Sequence, residues 1–295
     1  MRNLIAYAPY RRGIESATNS HFPSWMGGLS EARQAGFVGI ELEPYGFLPL
    51  DADTVNMALY LKELEVCAGT ISEPLSMRSK QAEILEKTER LCAFLQQIGT
   101  GILVVNDRVN DERSYYAGLS DEAPRLSEAR WVHMMETISK MSTIAGQYHI
   151  RVVVLPHVGG YIEYEDEIER MLQDLPRTNV GLCLDTGHLY YAGMDPAQSL
   201  IRYAERLEHL HFSDIDIAKQ YNAVQNRIGY WQACTEGVMC PLGEGGVLFG
   251  EVYKVLDDIG YKGWIAIEQR REPCDTSTIL SDLKKSRQYL VDRDF

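Results

Sequence analysis

The sequence predicts an α/β protein, a single-domain (β/α)₈ TIM barrel over residues 1–295, on three observations. Short apolar runs rich in β-branched residues alternate with longer amphipathic segments along the whole chain, the pattern of βα units around a parallel sheet. Eight such units follow one another without a break in composition. The length, 295 residues, suits one barrel and is long for an ordinary single domain.

The first unit pairs a strand at 4–7 with a helix at 25–35, which stops at Gly36. Strand 38–42 leads to helix 53–64, strand 66–70 to helix 80–97, and strand 102–105 to helix 128–148. In the second half, strand 152–155 precedes helix 163–172, and strand 180–184 precedes helix 196–204. Strand 209–212 precedes helix 247–259, and strand 264–268 precedes helix 278–290. The helices carry apolar residues at helical spacing, and Gly36, Gly99 and Gly260 stand where a helix must stop before the next strand. The competing architecture is an open doubly wound sheet, which a GxG phosphate loop after the first strand would favour; no such loop is present.

Two connections break the rhythm. Residues 107–126 are polar, and the longer 213–246 contains Tyr221, Tyr230, Trp231 and the glycine-rich 242–246. Aromatics with glycines favour an ordered lid over the barrel mouth; the other reading is a mobile surface excursion.

Hydrophobic residues at 45% and charged residues at 24% describe a globular protein with a sizeable core. A net charge of −13 and a pI near 5.0 repel phosphates, which argues against nucleic-acid and anionic-membrane partners. The expectation is a cytoplasmic protein handling small, mostly uncharged molecules. No apolar run reaches the ~18 residues of a membrane span, and residues 1–5 lack a secretory apolar stretch. The six cysteines (Cys67, Cys92, Cys183, Cys234, Cys240, Cys274) form no CxxC pair, which points to a reducing compartment and no structural zinc.

In a barrel, chemistry sits at the C-terminal strand ends and in the loops that follow. Strand 180–184 runs into Asp185 and, three residues on, His188. Next, His209 and His211 share one strand face because the side-chain period is two, and Asp214 follows. The last apolar strand ends in Glu268. Each alone has an ordinary explanation, such as a helix cap or a hydrogen-bonded structural histidine. Three successive strands ending in metal-ligand types point instead to a divalent metal held by Asp185, His211 and Glu268. Carboxylates with one imidazole and no thiolate suit Mn²⁺ first, then Mg²⁺ or Co²⁺, better than structural Zn²⁺.

The fourth ligand is open. Strand five ends in Leu155 where an acid would complete the site. Glu163 can fold back across the Gly159-Gly160 turn, or His157 can ligate or contact substrate. Glu163 also lies with Glu165, Asp166 and Glu167 at a helix start, where acids favour the macrodipole.

These residues resemble the sugar-phosphate isomerase/epimerase superfamily with a xylose-isomerase-like barrel, most closely its inosose dehydratase branch. The resemblance covers essentially the whole length and is carried by 156–163, 184–193, 209–214, 241–245 and 263–268. It implies Asp185, His211 and Glu268 as metal ligands, with Glu163 in the place that many members fill at position 155. It implies substrate contact by His188; the other polar members of these motifs, His157, Asp214 and Glu244, join it as candidate substrate contacts. Relatives often carry Lys where this chain has Ser213, which weakens the case for a phosphorylated substrate.

The chemistry implied is proton abstraction beside a ketone, with Glu268 or Glu163 as base and His188 or His157 as acid. Loss of water from a keto-cyclitol such as 2-keto-myo-inositol makes the protein a lyase. Reprotonation instead makes it a keto-sugar isomerase or epimerase. A third reading is a sugar- or metal-binding protein without catalysis. A DNA-repair endonuclease with several zinc ions needs more histidines than seven and a phosphate-tolerant surface. Tyr7, Tyr10, Trp25 and Tyr45 are candidate pocket aromatics, and Arg11, beside Arg12, a candidate substrate contact. Exposed helix faces leave a homo-oligomer open.

Overall fold

The computed structural model describes residues 4–9, 25–42, 48–269 and 276–293. Tyr10, Arg11, Arg12, Tyr45 and Cys274 lie outside the described residues. Eight parallel strands close into a barrel: β1 (Leu4–Ala8), β2 (Gly39–Leu42), β3 (Glu65–Glu73), β4 (Ile102–Asp107), β5 (Arg151–Val154), β6 (Gly181–Asp185), β7 (Leu207–Phe212) and β8 (Trp264–Glu268). Neighbours in the chain are neighbours in the sheet, and β8 pairs with β1. The principal helices are α1 (Trp25–Ala35), α2 (Ala52–Lys62), α3 (Gln81–Gln97), α4 (Glu128–Gln147), α5 (Glu165–Asp174), α6 (Pro196–Arg202), α7 (Phe249–Asp258) and α8 (Thr276–Val291). The strand that departs most from its apolar run is β3. It continues through Ile71, Ser72 and Glu73, which pair with Val105, Asn106 and Asp107 of β4; backbone pairing carries on past the point where the side chains turn polar.

Strand alternation sorts the core into two shells. Outward-facing residues such as Ile5, Leu103, Val152, Leu184, Leu210 and Ile267 pack under the helices. Inward-facing Ala6, Ala8, Val104, Val153, Leu155, Cys183 and Ala266 form a separate interior cluster. These inner residues are mostly small, which leaves room on the axis for buried polar side chains. Tyr7 stacks on Phe37 at 5.9 Å between ring centroids and belongs to the outer shell, as does partly buried Trp25. Both pack in the outer shell rather than on the barrel axis, Tyr7 because odd positions of β1 face the helices and Trp25 because it begins one of those helices.

Two register shifts bear on the site. Between β2 and β3, Ile40 pairs with Val66 but Glu41 with Ala68; between β6 and β7, Leu182 pairs with Leu207 but Cys183 with His209. Each puts an extra residue in one strand, which re-aims the side chains beyond it.

Segment 213–246 is built rather than structureless. It contains a ribbon of Asp214–Ile215 with Met239–Cys240 and two helices, Ile217–Gln225 and Tyr230–Thr235. Ile215, Ala223, Tyr230, Ala233, Cys234, Val238 and Met239 share a small core with Ala117, Val158 and Tyr191, from the segments after β4, β5 and β6. Its own apolar side chains therefore hold it against the C-terminal ends of those strands.

Candidate metal centre

β6 is buried along its whole length and delivers Asp185 at its end. There Asp185 caps the short helix Thr186–Tyr191, its Oδ1 accepting the His188 N–H at 2.7 Å. Oδ1 also accepts the Ser213 hydroxyl at 2.6 Å. Gly187 permits that approach, since a Cβ there would run into Ser213 Oγ. Oδ2 is buried and has no hydrogen-bond partner among the described residues. Ser213 therefore orients the Asp185 carboxylate with its hydroxyl.

β7 delivers His211 and β8 delivers Glu268, both buried, with His211 Nδ1 at 3.2 Å from Glu268 Oε2. One donor atom each from Asp185, His211 and Glu268 lies within 4.8 Å of the others. Burial and the Glu268 charge push the Asp185 carboxyl up to about 6. Two acids crowded in a dry site raise each other's cost of ionisation, and a cation between them would reverse that cost. The donor set and the unsatisfied Asp185 oxygen fit a divalent ion.

Two overlapping groups lie deeper on the axis, Cys183–His209–His211 and Glu41–Cys67–His209. Burial pushes the Cys183 thiol up to about 11 and Cys67 well above its ordinary range. Both stay thiols, whereas thiolate is the ligating form. Glu41 is fully buried, with one carboxylate oxygen 2.8 Å from His211 Nε2 and 3.0 Å from His209 Nε2. Thr70 Oγ1 donates to the other. The signal of Glu41 in the sequence is a lone carboxylate inside the apolar run 38–42, placed before the strand's end rather than at it.

Glu163 does not join the centre. Its Oε1 accepts Gly118 N–H at 3.2 Å, and its Oε2 accepts Gly159 N–H at 2.8 Å and an Arg113 N–H at 3.5 Å. Arg113 is fully buried, lies over the rings of Tyr161 and Tyr164, and also binds Glu167 at 2.9 and 3.0 Å. Glu163 thus ties together the loops after β4 and β5. Burial, partly offset by Arg113, pushes its carboxyl up to about 7. Leu155 stays in the interior cluster, its N–H continuing the ladder to Val105. No fourth His, Cys, Asp or Glu donor among the described residues stands within that distance of all three.

Asp214 and Glu244 also depart from the expectation of substrate contact. Asp214 accepts four backbone N–H groups, from Ile215 and Val247 on Oδ1 and from Gly243 and Gly245 on Oδ2, at 2.8–3.0 Å. Its acceptor capacity is spent on folding 242–247 around itself. Glu244 is exposed and pairs with Lys285 of α8 at 3.5 Å. His157 and His188, by contrast, come together beside the centre, with ring centroids 4.0 Å apart and Tyr230 against both. His157 Nδ1–H donates to Val158 O at 2.7 Å. His188 Nδ1 accepts Val158 N–H at 3.3 Å, so the neutral ring carries its proton on Nε2.

A family model described as a xylose isomerase-like TIM barrel matches residues 29–291. The chain belongs to this family. An inosose dehydratase of Halalkalibacterium halodurans is 28% identical over 265 residues, covering 90% of this chain and 86% of its own. The probable 3-DHS dehydratase AsbF of Bacillus anthracis, involved in petrobactin synthesis, matches with a TM-score of 0.74 at 18% identity, over 99% of this chain and all of its own. The IOLI protein, solved with a binding zinc atom, matches with a TM-score of 0.74 at 16% identity, over 100% of this chain and 99% of its own. Both solved structures share the fold of the whole chain.

Proposed function

We propose that this protein is a divalent-metal-dependent lyase that removes water from a keto-cyclitol or keto-sugar, an inosose dehydratase-like activity in inositol breakdown. The observation that carries the reading is the buried meeting of Asp185, His211 and Glu268 at three adjacent strand ends, with Asp185 Oδ2 unsatisfied. Relatives named inosose dehydratase at 28% identity over nine-tenths of the chain support the reaction class. Two carboxylates and one imidazole favour Mn²⁺, with Mg²⁺, Co²⁺ or Zn²⁺ as substitutes. Ser213 in place of a cation favours an uncharged substrate. The acidic net charge of −13 disfavours nucleic acid, and no helix among the described residues is long and apolar enough to cross a membrane. Five buried free cysteines accord with a cytoplasmic location.

Asp185, His211 and Glu268 would hold a divalent ion, which would supply Lewis-acid polarisation of a ketone oxygen and so make the adjoining C–H more acidic. Glu268 takes that proton. The C–H electron pair becomes the new C=C bond as the β-hydroxyl departs, and His188 gives its Nε2 proton to the leaving oxygen, so that water is released. His157, packed on His188, holds that ring in place, and Tyr230 with the segment above it excludes solvent.

The test is metal-loaded turnover of 2-keto-myo-inositol by wild-type protein and Glu268→Gln. The expected result is water loss by the wild type and a fall of at least ~100-fold in the variant, with folding intact. Wild-type C–H exchange with solvent and no water loss would replace the lyase reading with an epimerase or isomerase on the same centre. Metal binding with neither reaction across a panel of keto-sugars would leave a binding protein.

A further inference from the structure

We propose that Glu41 is a positioning residue that holds His211 with its proton on Nε2 and its Nδ1 turned toward Asp185 and Glu268. The inference rests on the metal reading above and adds to it the group that decides which nitrogen of His211 serves the ion.

The two ring nitrogens of His211 face different partners. Nε2 lies 2.8 Å from Glu41 Oε2, and Nδ1 lies 3.2 Å from Glu268 Oε2. A carboxylate accepts only, so whichever nitrogen carries a proton donates it. Three features make Glu41 the stronger claimant. It already accepts His209 Nε2–H on the same oxygen at 3.0 Å and the Thr70 hydroxyl on the other, so its carboxylate is anionic and fixed. The second proton source cannot reverse: His209 Nδ1 is buried with no hydrogen-bond partner among the described residues, so a proton there would be unsatisfied. Glu268, by contrast, lies on the side of the ring that faces Asp185, whose Oδ2 is buried with no hydrogen-bond partner among the described residues. A proton on Nδ1 would occupy the nitrogen lone pair with which His211 would ligate an ion on that side.

The backbone is arranged to this end. The register shift at Ile40/Glu41 precedes the carboxylate, and the shift at Leu182/Cys183 brings His209 and His211 opposite Cys183 and Asp185. The extra residues are Cys67 of β3, next to Glu41 in the sheet, and Glu208 of β7, directly before His209, so both irregularities fall beside members of this one cradle. A carboxylate behind a metal-ligating histidine fixes the tautomer and orientation of the ring.

The experiment is two-bond ¹H–¹⁵N correlation on histidine-labelled protein, metal-free and loaded with diamagnetic Zn²⁺, with His211 assigned from its Asn variant. Isothermal titration of Zn²⁺ runs alongside for wild type, Glu41→Gln and Glu41→Ala. In wild type, His211 Nε2 is expected to carry a proton in both states and Nδ1 to be unprotonated when loaded. Glu41→Ala is expected to bind Zn²⁺ about 10–100-fold more weakly, and Glu41→Gln, which keeps an acceptor oxygen, to fall between. An unprotonated Nε2 in wild type, or Zn²⁺ affinity unchanged in Glu41→Gln, overturns the proposal even if the alanine variant does not fold. Wild-type protein that binds no Zn²⁺, Mn²⁺ or Mg²⁺ overturns the metalloenzyme reading instead, and the protonation of Nε2 then bears on the placement of His211 alone.

Discussion

Replacing Glu163 with Gln separates its structural role from the ligand role that its sequence position suggests. In the folded protein the carboxyl is fully buried and pushed up to about 7, from an ordinary value of 4.5. A carboxyl raised on folding lets the native state hold a proton that the unfolded state has released. Stability is therefore highest below the unfolded value and falls as pH rises through the window from about 4.5 to 7. The full shift of about 2.5 units corresponds to roughly 3 kcal/mol, of which about 2 to 3 kcal/mol develops between pH 5 and pH 8. Glutamine does not titrate. It keeps one acceptor for Gly159 N–H or Arg113 but turns an NH₂ toward another donor, an offset of ~1 kcal/mol that is independent of pH. Urea unfolding at both pH values should show the variant gaining about 2 to 3 kcal/mol on wild type between them. Metal affinity at pH 7.5 should stay within about threefold, because the carboxylate serves Arg113 and two loop amides. Parallel stability curves would refute the assigned burial of the charge. A metal affinity lowered by about 100-fold would return Glu163 to the ligand set.

Two further changes probe the surroundings of the centre. Ser213→Ala removes the hydroxyl that donates to Asp185 Oδ1 at 2.6 Å and should weaken metal binding ~10-fold, read by calorimetry, with little change in melting temperature; an unchanged affinity would mean that the cap alone orients Asp185. Asp214→Asn puts an NH₂ against backbone donors that the carboxylate now accepts. It should cost about 1–3 kcal/mol and speed hydrogen exchange at 243–247, whereas unaltered exchange there would show that the turn holds without its anchor.

The barrel was legible because its signals are local. A buried parallel strand is a short apolar run, a covering helix repeats at 3.6 residues, and eight of each arrive in order. Asp185, His211 and Glu268 were legible for a related reason. Closing a parallel barrel brings the C-terminal ends of adjacent strands to one face, so polar residues ending consecutive strands must meet there. The motifs containing Asp214, Glu244 and Glu163 were equally visible, but their roles were not. A carboxylate's function depends on which donors reach it first, and those of Asp214 are amides up to 33 residues away. Those of Glu163 include Arg113, 50 residues away.

Glu41 marks the boundary most clearly. It is 170 residues from His211 in the chain, and the two meet only because β2 and β7 both point side chains at the barrel axis. Alternation turns both inward, Glu41 between outward-facing Ile40 and Leu42 and His211 between Leu210 and Phe212, but it does not say which inward residues meet across the axis. By itself, then, the sequence determined the barrel, its order and the meeting of Asp185, His211 and Glu268 at one face, since each follows from periodicity and strand ends. Only the tertiary structure decided that Glu163 braces the loops, that Asp214 folds its own turn, and that a buried glutamate stands behind the histidine. Those outcomes rest on contacts across the barrel and between its loops, where hydrogen-bond geometry rather than residue type assigns the role.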